Sequence, residues 1–154
     1  IFGYEVSDPT RYGVISFDEK NRPLEIEEKP ENPVSNYAVT GIYFLDGQAP
    51  ERAKKLLPSQ RGELEITSLL ELYLQEKKLE VHILGHGNAW LDMGTHESLL
   101  DASNFVRTLQ KRQGLLIGSP DEIAYRRNWI SQEDLKVLAQ KYRQTEYGKL
   151  LNEL

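Results

Sequence analysis

Trp90-Leu91-Asp92-Met93-Gly94-Thr95 runs an apolar pair into one carboxylate, and a glycine breaks the run before a helical pattern begins. Thr95 is a helix-capping residue type. Leu99, Ala102, Val106 and Leu109 follow at helical spacing until Gln113-Gly114 ends the pattern. Asp92 is therefore expected at the carboxyl end of a strand, beside a helix N-terminus. Ligands of open α/β sheets collect at that end, and a hard carboxylate oxygen there suits Mg²⁺. By itself the run also fits a carboxylate that only caps or braces the turn.

Upstream, the chain reads first as strands and then as helix. Strands are predicted at Phe2 to Val6, Gly13 to Phe17, Leu24 to Glu28 and Val39 to Leu45, the last rich in β-branched and aromatic residues. Asp8-Pro9, Asp18-Glu19-Lys20-Asn21 and Glu31-Asn32-Pro33 supply turns between them. Further on, Ile66, Leu69, Leu70, Tyr73 and Leu74 form one helical apolar stripe. Glu63 and Glu65 lead it and Lys77 and Lys78 end it, as the helix dipole favours. Another strand is predicted from Leu79 to Leu84, then the short run to Leu91.

Downstream, Ser119-Pro120-Asp121-Glu122 has the form of a capping box with proline at the first helical position. Ser131-Gln132-Glu133-Asp134 resembles a second one. Leu135, Leu138, Ala139 and Tyr142 give one more apolar face, and Tyr147, Leu150, Leu151 and Leu154 give the last. The order points to an α/β class, a mixed sheet with flanking helices and a C-terminal helical appendage. The expected division is residues 1–114 and 115–154.

Several segments carry chemistry. Leu24-Glu25-Ile26-Glu27-Glu28-Lys29-Pro30 is a strand that ends in an acid and a base and is stopped by proline. Gln60-Arg61-Gly62-Glu63-Leu64-Glu65-Ile66-Thr67 joins an Arg-Gly turn to acids at a helix start. With Tyr12-Gly13-Val14, Tyr37-Ala38-Val39-Thr40-Gly41-Ile42-Tyr43 and the Trp90 run, they resemble the sugar-1-phosphate nucleotidylyltransferases. Within that family they are most similar to the branch that joins glucose 1-phosphate to dTTP, giving dTDP-glucose and pyrophosphate. The likeness extends over the whole chain, to Ser119-Pro120-Asp121-Glu122-Ile123-Ala124. It corresponds to about the C-terminal half of the family's proteins.

The resemblance implies a partial nucleotide-diphospho-sugar transferase (Rossmann-like) fold and a set of roles. Lys29 would face the sugar phosphate as a point charge, and Arg61 would grip phosphate oxygens with its planar fork. Glu28 would accept hydrogen bonds from glucose hydroxyls. Tyr12, Gly13, Val39 and Tyr43 would wall the sugar, and Asp92 would hold Mg²⁺. Each has a plainer alternative: Glu28 and Lys29 as a solvated pair, Arg61 as a brace to Glu63 or Glu65, and the tyrosines as sheet aromatics. In Gly85-His86-Gly87 the family commonly has arginine, part of a second nucleotide site used for feedback inhibition. Glu122 and Arg126 match other parts of that site, and a histidine there makes its charge depend on pH.

The family's glycine-rich loop, which grips the nucleotide triphosphate, has no counterpart among these residues. The eleven glycines are scattered, with no G-x-G-x-x-G or G-x-x-x-x-G-K-[ST] pattern. A second metal-binding aspartate and the base-reading residues also belong to the family's first half. The 154 residues are thus expected to behave as an acceptor half without turnover on their own. A non-catalytic sugar-phosphate, nucleotide-binding or assembly module is the alternative.

Composition sets limits. A net charge of −5 offers no basic field for nucleic acid or an anionic membrane. With no cysteine, disulfides and thiolate metal sites are excluded. His82, His86 and His96 do not make a zinc pattern. No apolar run approaches the roughly 18 residues of a membrane span. A soluble cytoplasmic protein is expected, and open strand edges make a homo-oligomer the expected state.

Overall fold

Hydrophobic alternation and turn chemistry produce the first four strands in the computed structural model, which describes residues 1–154. β1 spans Phe2–Glu5, β2 Gly13–Phe17, β3 Pro23–Glu28 and β4 Tyr37–Val39. The β2–β3 turn is built by Asp18. Its carboxylate accepts the amides of Lys20 and Arg22, and Asn21 takes the left-handed conformation at φ 57°. β5 spans His82–Leu84. The five strands form one mixed sheet in the order β3-β2-β4-β1-β5, parallel only between β1 and β5.

Three predicted strands differ from the structure. Residues 40–45 leave the sheet after β4. Thr40 still donates to the Phe2 carbonyl at 3.0 Å, and Ile42 to Leu45 have no strand partner. Strand-forming side chains without a ladder partner stay irregular, and Ile42 and Phe44 are exposed. Likewise Trp90 and Leu91 are not in a strand, so Asp92 lies on the connection after β5 rather than at a strand end. β5 itself is shorter than the predicted Leu79 to Leu84.

α1 (Ala49–Ala53) and α2 (Ile66–Gln75) complete the first compact unit, Ile1–Trp90. The predicted α2 stripe turns by one position. Leu69, Leu70 and Tyr73 are buried, but Thr67 replaces Ile66 on the inner face. Leu70 packs with Ile1, Ile15, Ile26 and Val39, and fully burying such side chains stabilises by about 1.5–3 kcal/mol each. Arg52 ties α1 to the end of α2 through a bidentate pair with Glu76, at 2.6 and 2.9 Å. Its guanidinium also lies 4.6 Å from the Tyr73 ring centroid, and Tyr73 donates to Asp46 at 2.7 Å.

The second unit, Leu91–Leu154, is helical. α3 spans His96–Gln113, capped by Thr95 and closed by Gly114 at φ 63°, as the sequence predicts. α4 (Pro120–Arg126), α5 (Gln132–Lys141) and α6 (Glu146–Asn152) follow. Ser119 caps α4, and Ser131 with Asp134 forms the predicted reciprocal box on α5. Leu135, Ala139 and Leu151 make the core of this unit. The division between the two compact units falls between Trp90 and Leu91. No helix is long and apolar enough to cross a membrane.

Candidate functional site

The β2–β3 pair ends in a corner of the first unit where a helix comes unusually close. Glu28, the last residue of β3, stands opposite Gly13. Lys29 then turns left-handed at φ 45°, its amide donating to the Tyr12 carbonyl at 3.0 Å, and buried Pro30 stops the strand. A Cβ on Gly13 would stand 2.6 Å from the Thr67 Cγ2 and 3.3 Å from Glu28 Oε2. Glycine is needed there because α2 brings Thr67 directly over it.

Glu28 is held from two sides. Thr67 Oγ1 donates to Glu28 Oε2 at 3.0 Å, and Arg61 Nη1 lies 3.7 Å from Oε1. Arg61 also meets Glu65 at 3.1 Å and Glu63 at 3.0 Å. Glu65 is nearly buried and accepts a further bond from Ser59 at 3.0 Å. One guanidinium is thus set among three carboxylates, and pairing with Glu63 and Glu65 is the bracing arrangement weighed from sequence. Tyr43 packs against the core of the sheet; burial pushes its phenol up, and the Glu28 charge adds to this. Val39 Cβ is 3.8 Å from the missing Cβ of Gly13.

Gly13, Glu28, Val39, Tyr43 and Arg61 therefore share this corner, with Tyr12 and Lys29 at its edge through their backbone bond. Lys29 is exposed and takes part in no ion pair. The Tyr12 ring meets Trp90 edge-on with centroids 5.1 Å apart, and Tyr4 lies 5.9 Å from the same indole. Sequence reasoning missed Thr67 and Ser59. A glycine inside a strand pattern was the available signal for Thr67, because it marks a close approach.

Asp92 belongs to the second unit. Its Oδ2 lies 3.1 Å from where a Gly94 Cβ would be, so the carboxylate folds over the glycine. No three or more Asp, Glu, His or Cys residues group as a metal cage. Asp92 is the residue whose carboxylate could ligate Mg²⁺, an ion commonly bound through one or two carboxylates together with phosphates and water. Of the three residues matched to a regulatory site, Glu122 and Arg126 pair on α4 at 2.7 Å. His86 lies on an exposed turn of the first unit.

Residues 1–108 match a family described as nucleotidyl transferase. A glucose-1-phosphate thymidylyltransferase of Xanthomonas campestris pv. campestris is 53% identical over all 154 residues, which cover 52% of its length. One from Mycobacterium tuberculosis is 48% identical, with 100% of this chain and 54% of that protein covered. A crystal structure from Bacillus anthracis, assigned as a glucose-1-phosphate thymidylyltransferase and solved with sucrose, superposes at a TM-score of 0.63 with 39% identity. It covers 77% of this chain and 44% of that one. The chain spans about half the length of the curated relatives it matches.

Proposed function

Because the chain belongs to the nucleotidyl transferase family, we propose that it supplies the sugar-phosphate-binding part of a glucose-1-phosphate thymidylyltransferase. Its sheet and helices are part of the nucleotide-diphospho-sugar transferase fold. In the proposed reaction a phosphate oxygen of glucose 1-phosphate attacks the α-phosphorus of dTTP and pyrophosphate leaves. Such chemistry needs positioning and charge neutralisation more than covalent catalysis.

The observation that carries this reading is the Glu28 corner. A carboxylate fixed by Thr67 and Arg61 is preorganised to accept sugar hydroxyls, and an unpaired Lys29 beside it is available to a phosphate. Tyr12 and Tyr43 would border the sugar, while Gly13, covered by Thr67, and buried Val39 would back them. Arg61 contacts a phosphate by giving up one of its carboxylates, most readily the exposed Glu63. Asp92 would hold Mg²⁺, which when bound neutralises phosphate charge. The residues matched to a second nucleotide site, His86, Glu122 and Arg126, are a proposed regulatory set. The proposed reaction uses cytoplasmic substrates, and exposed Phe44, Ile42 and Leu57 favour a homo-oligomer.

The test is calorimetric titration of the 154-residue chain with glucose 1-phosphate, beside Lys29→Ala. Saturable binding that weakens about tenfold in the variant is expected, as for loss of a charged phosphate contact. Pyrophosphate release with dTTP and Mg²⁺ is expected to be absent, because no phosphate loop lies in these residues. Equal binding by both proteins would contradict the assignment. The second reading, a sugar-phosphate or nucleotide-binding or assembly module without turnover, is favoured by the three carboxylates already engaging Arg61.

A further inference from the structure

We propose that a groove along α3 in the second unit binds an organic anion with an apolar or aromatic body. The groove is about 410 Å³, within the size range of small-molecule sites. Its apolar lining is Met93, Ala102 and Val106; its polar side is Arg107, Gln110 and Lys111, with Glu146 of α6 also present. The α3 residues recur at the spacing of one helical face, so both characters run along the same groove.

Charge gives the ligand its sign. Arg107 and Lys111 are four residues apart on a helix, where like charges repel. Neither takes part in an ion pair, although Glu146 lines the same groove. Gln110 spends its carbonyl oxygen on the Ile117 amide at 3.0 Å, which leaves its NH₂ group to donate. Arginine, lysine and this amide offer many donors against one carboxylate, so the complementary ligand is rich in acceptors and negative. The apolar lining gives the ligand its second requirement. Met93 is 63% exposed, and it is a thioether that adapts to irregular or aromatic partners. Bare inorganic phosphate would satisfy only the cations.

The site uses none of the residues assigned to glucose 1-phosphate, so the two proposals fail separately. The probe is 1-naphthyl phosphate, followed through backbone amide shifts of the 154-residue chain, with inorganic phosphate and 1-naphthol as controls. Saturable shifts confined to the groove are expected. Affinity should fall about tenfold in Arg107→Glu/Lys111→Glu with unchanged melting, and several-fold in the milder Arg107→Gln. Glucose 1-phosphate binding should be the same in all three proteins. Inorganic phosphate binding as tightly as the naphthyl ester, equal affinity in the double variant, or shifts spread over other surfaces would each overturn the proposal.

Discussion

The corner at the end of β3 and the connection after β5 look alike in one respect, since each sets a carboxylate where a run with strand character stops. In the structure they differ. Glu28 has a strand partner opposite it, a helix hydroxyl above it and a guanidinium beside it. Residues 85–94 have no strand pairing, and Met93 is exposed. Glu28 is fixed where a ladder and a helix converge, whereas Asp92 sits on a connection outside the sheet. The first arrangement suits recognition of a sugar, which needs oriented acceptors.

Crowding the first region should have the largest effect. Gly13→Val puts carbon into space occupied by Thr67 and is expected to cost about 1–3 kcal/mol in urea unfolding and to lower glucose 1-phosphate affinity. Lys29→Gly separates charge from backbone. It relieves a left-handed residue, so stability should rise by about 1 kcal/mol while affinity falls about tenfold. Parallel changes in both quantities would make Lys29 a purely structural residue. Thr67→Val deletes the hydroxyl that holds Glu28 and should cost about 1 kcal/mol, read by thermal melting. In the second region Gly87→Ala meets open space and should stay within about 0.5 kcal/mol of the parent.

The smallest effect concerns pH, away from both regions. Hydrogen bonds from Arg52, and then from Lys78, hold the Glu76 carboxyl down to about 2 from an ordinary 4.5. A carboxyl depressed in the folded state adds stability above its unfolded value, and that stability is lost as pH falls toward the folded one. Glu76→Gln should unfold at slightly lower urea than the parent at neutral pH. The two midpoints should converge as pH falls from 4.5 to about 2.

Much of this was legible beforehand. β2 and the limits of α3 followed from local signals, because caps, glycine stops and alternation act within a few residues. The expected strand at Val39 to Leu45 failed because pairing is a long-range property: composition marks a strand former without supplying its neighbour. Gln60 to Thr67 carried Arg61 in plain view. What the sequence hid was that Glu65 is buried while it pairs with that arginine, and that Thr67 rather than Ile66 turns to the sheet. Both depend on the rotation of α2 about its axis, which a one-residue shift in the apolar stripe leaves undetermined.

The most direct test is a titration of the isotope-labelled 154-residue chain with glucose 1-phosphate, read at each backbone amide. Saturable shifts are expected at Gly13, Glu28, Lys29 and Val39, vanishing in Lys29→Gly. Shifts that avoid this corner, or that persist unchanged in the variant, would contradict the proposed binding site.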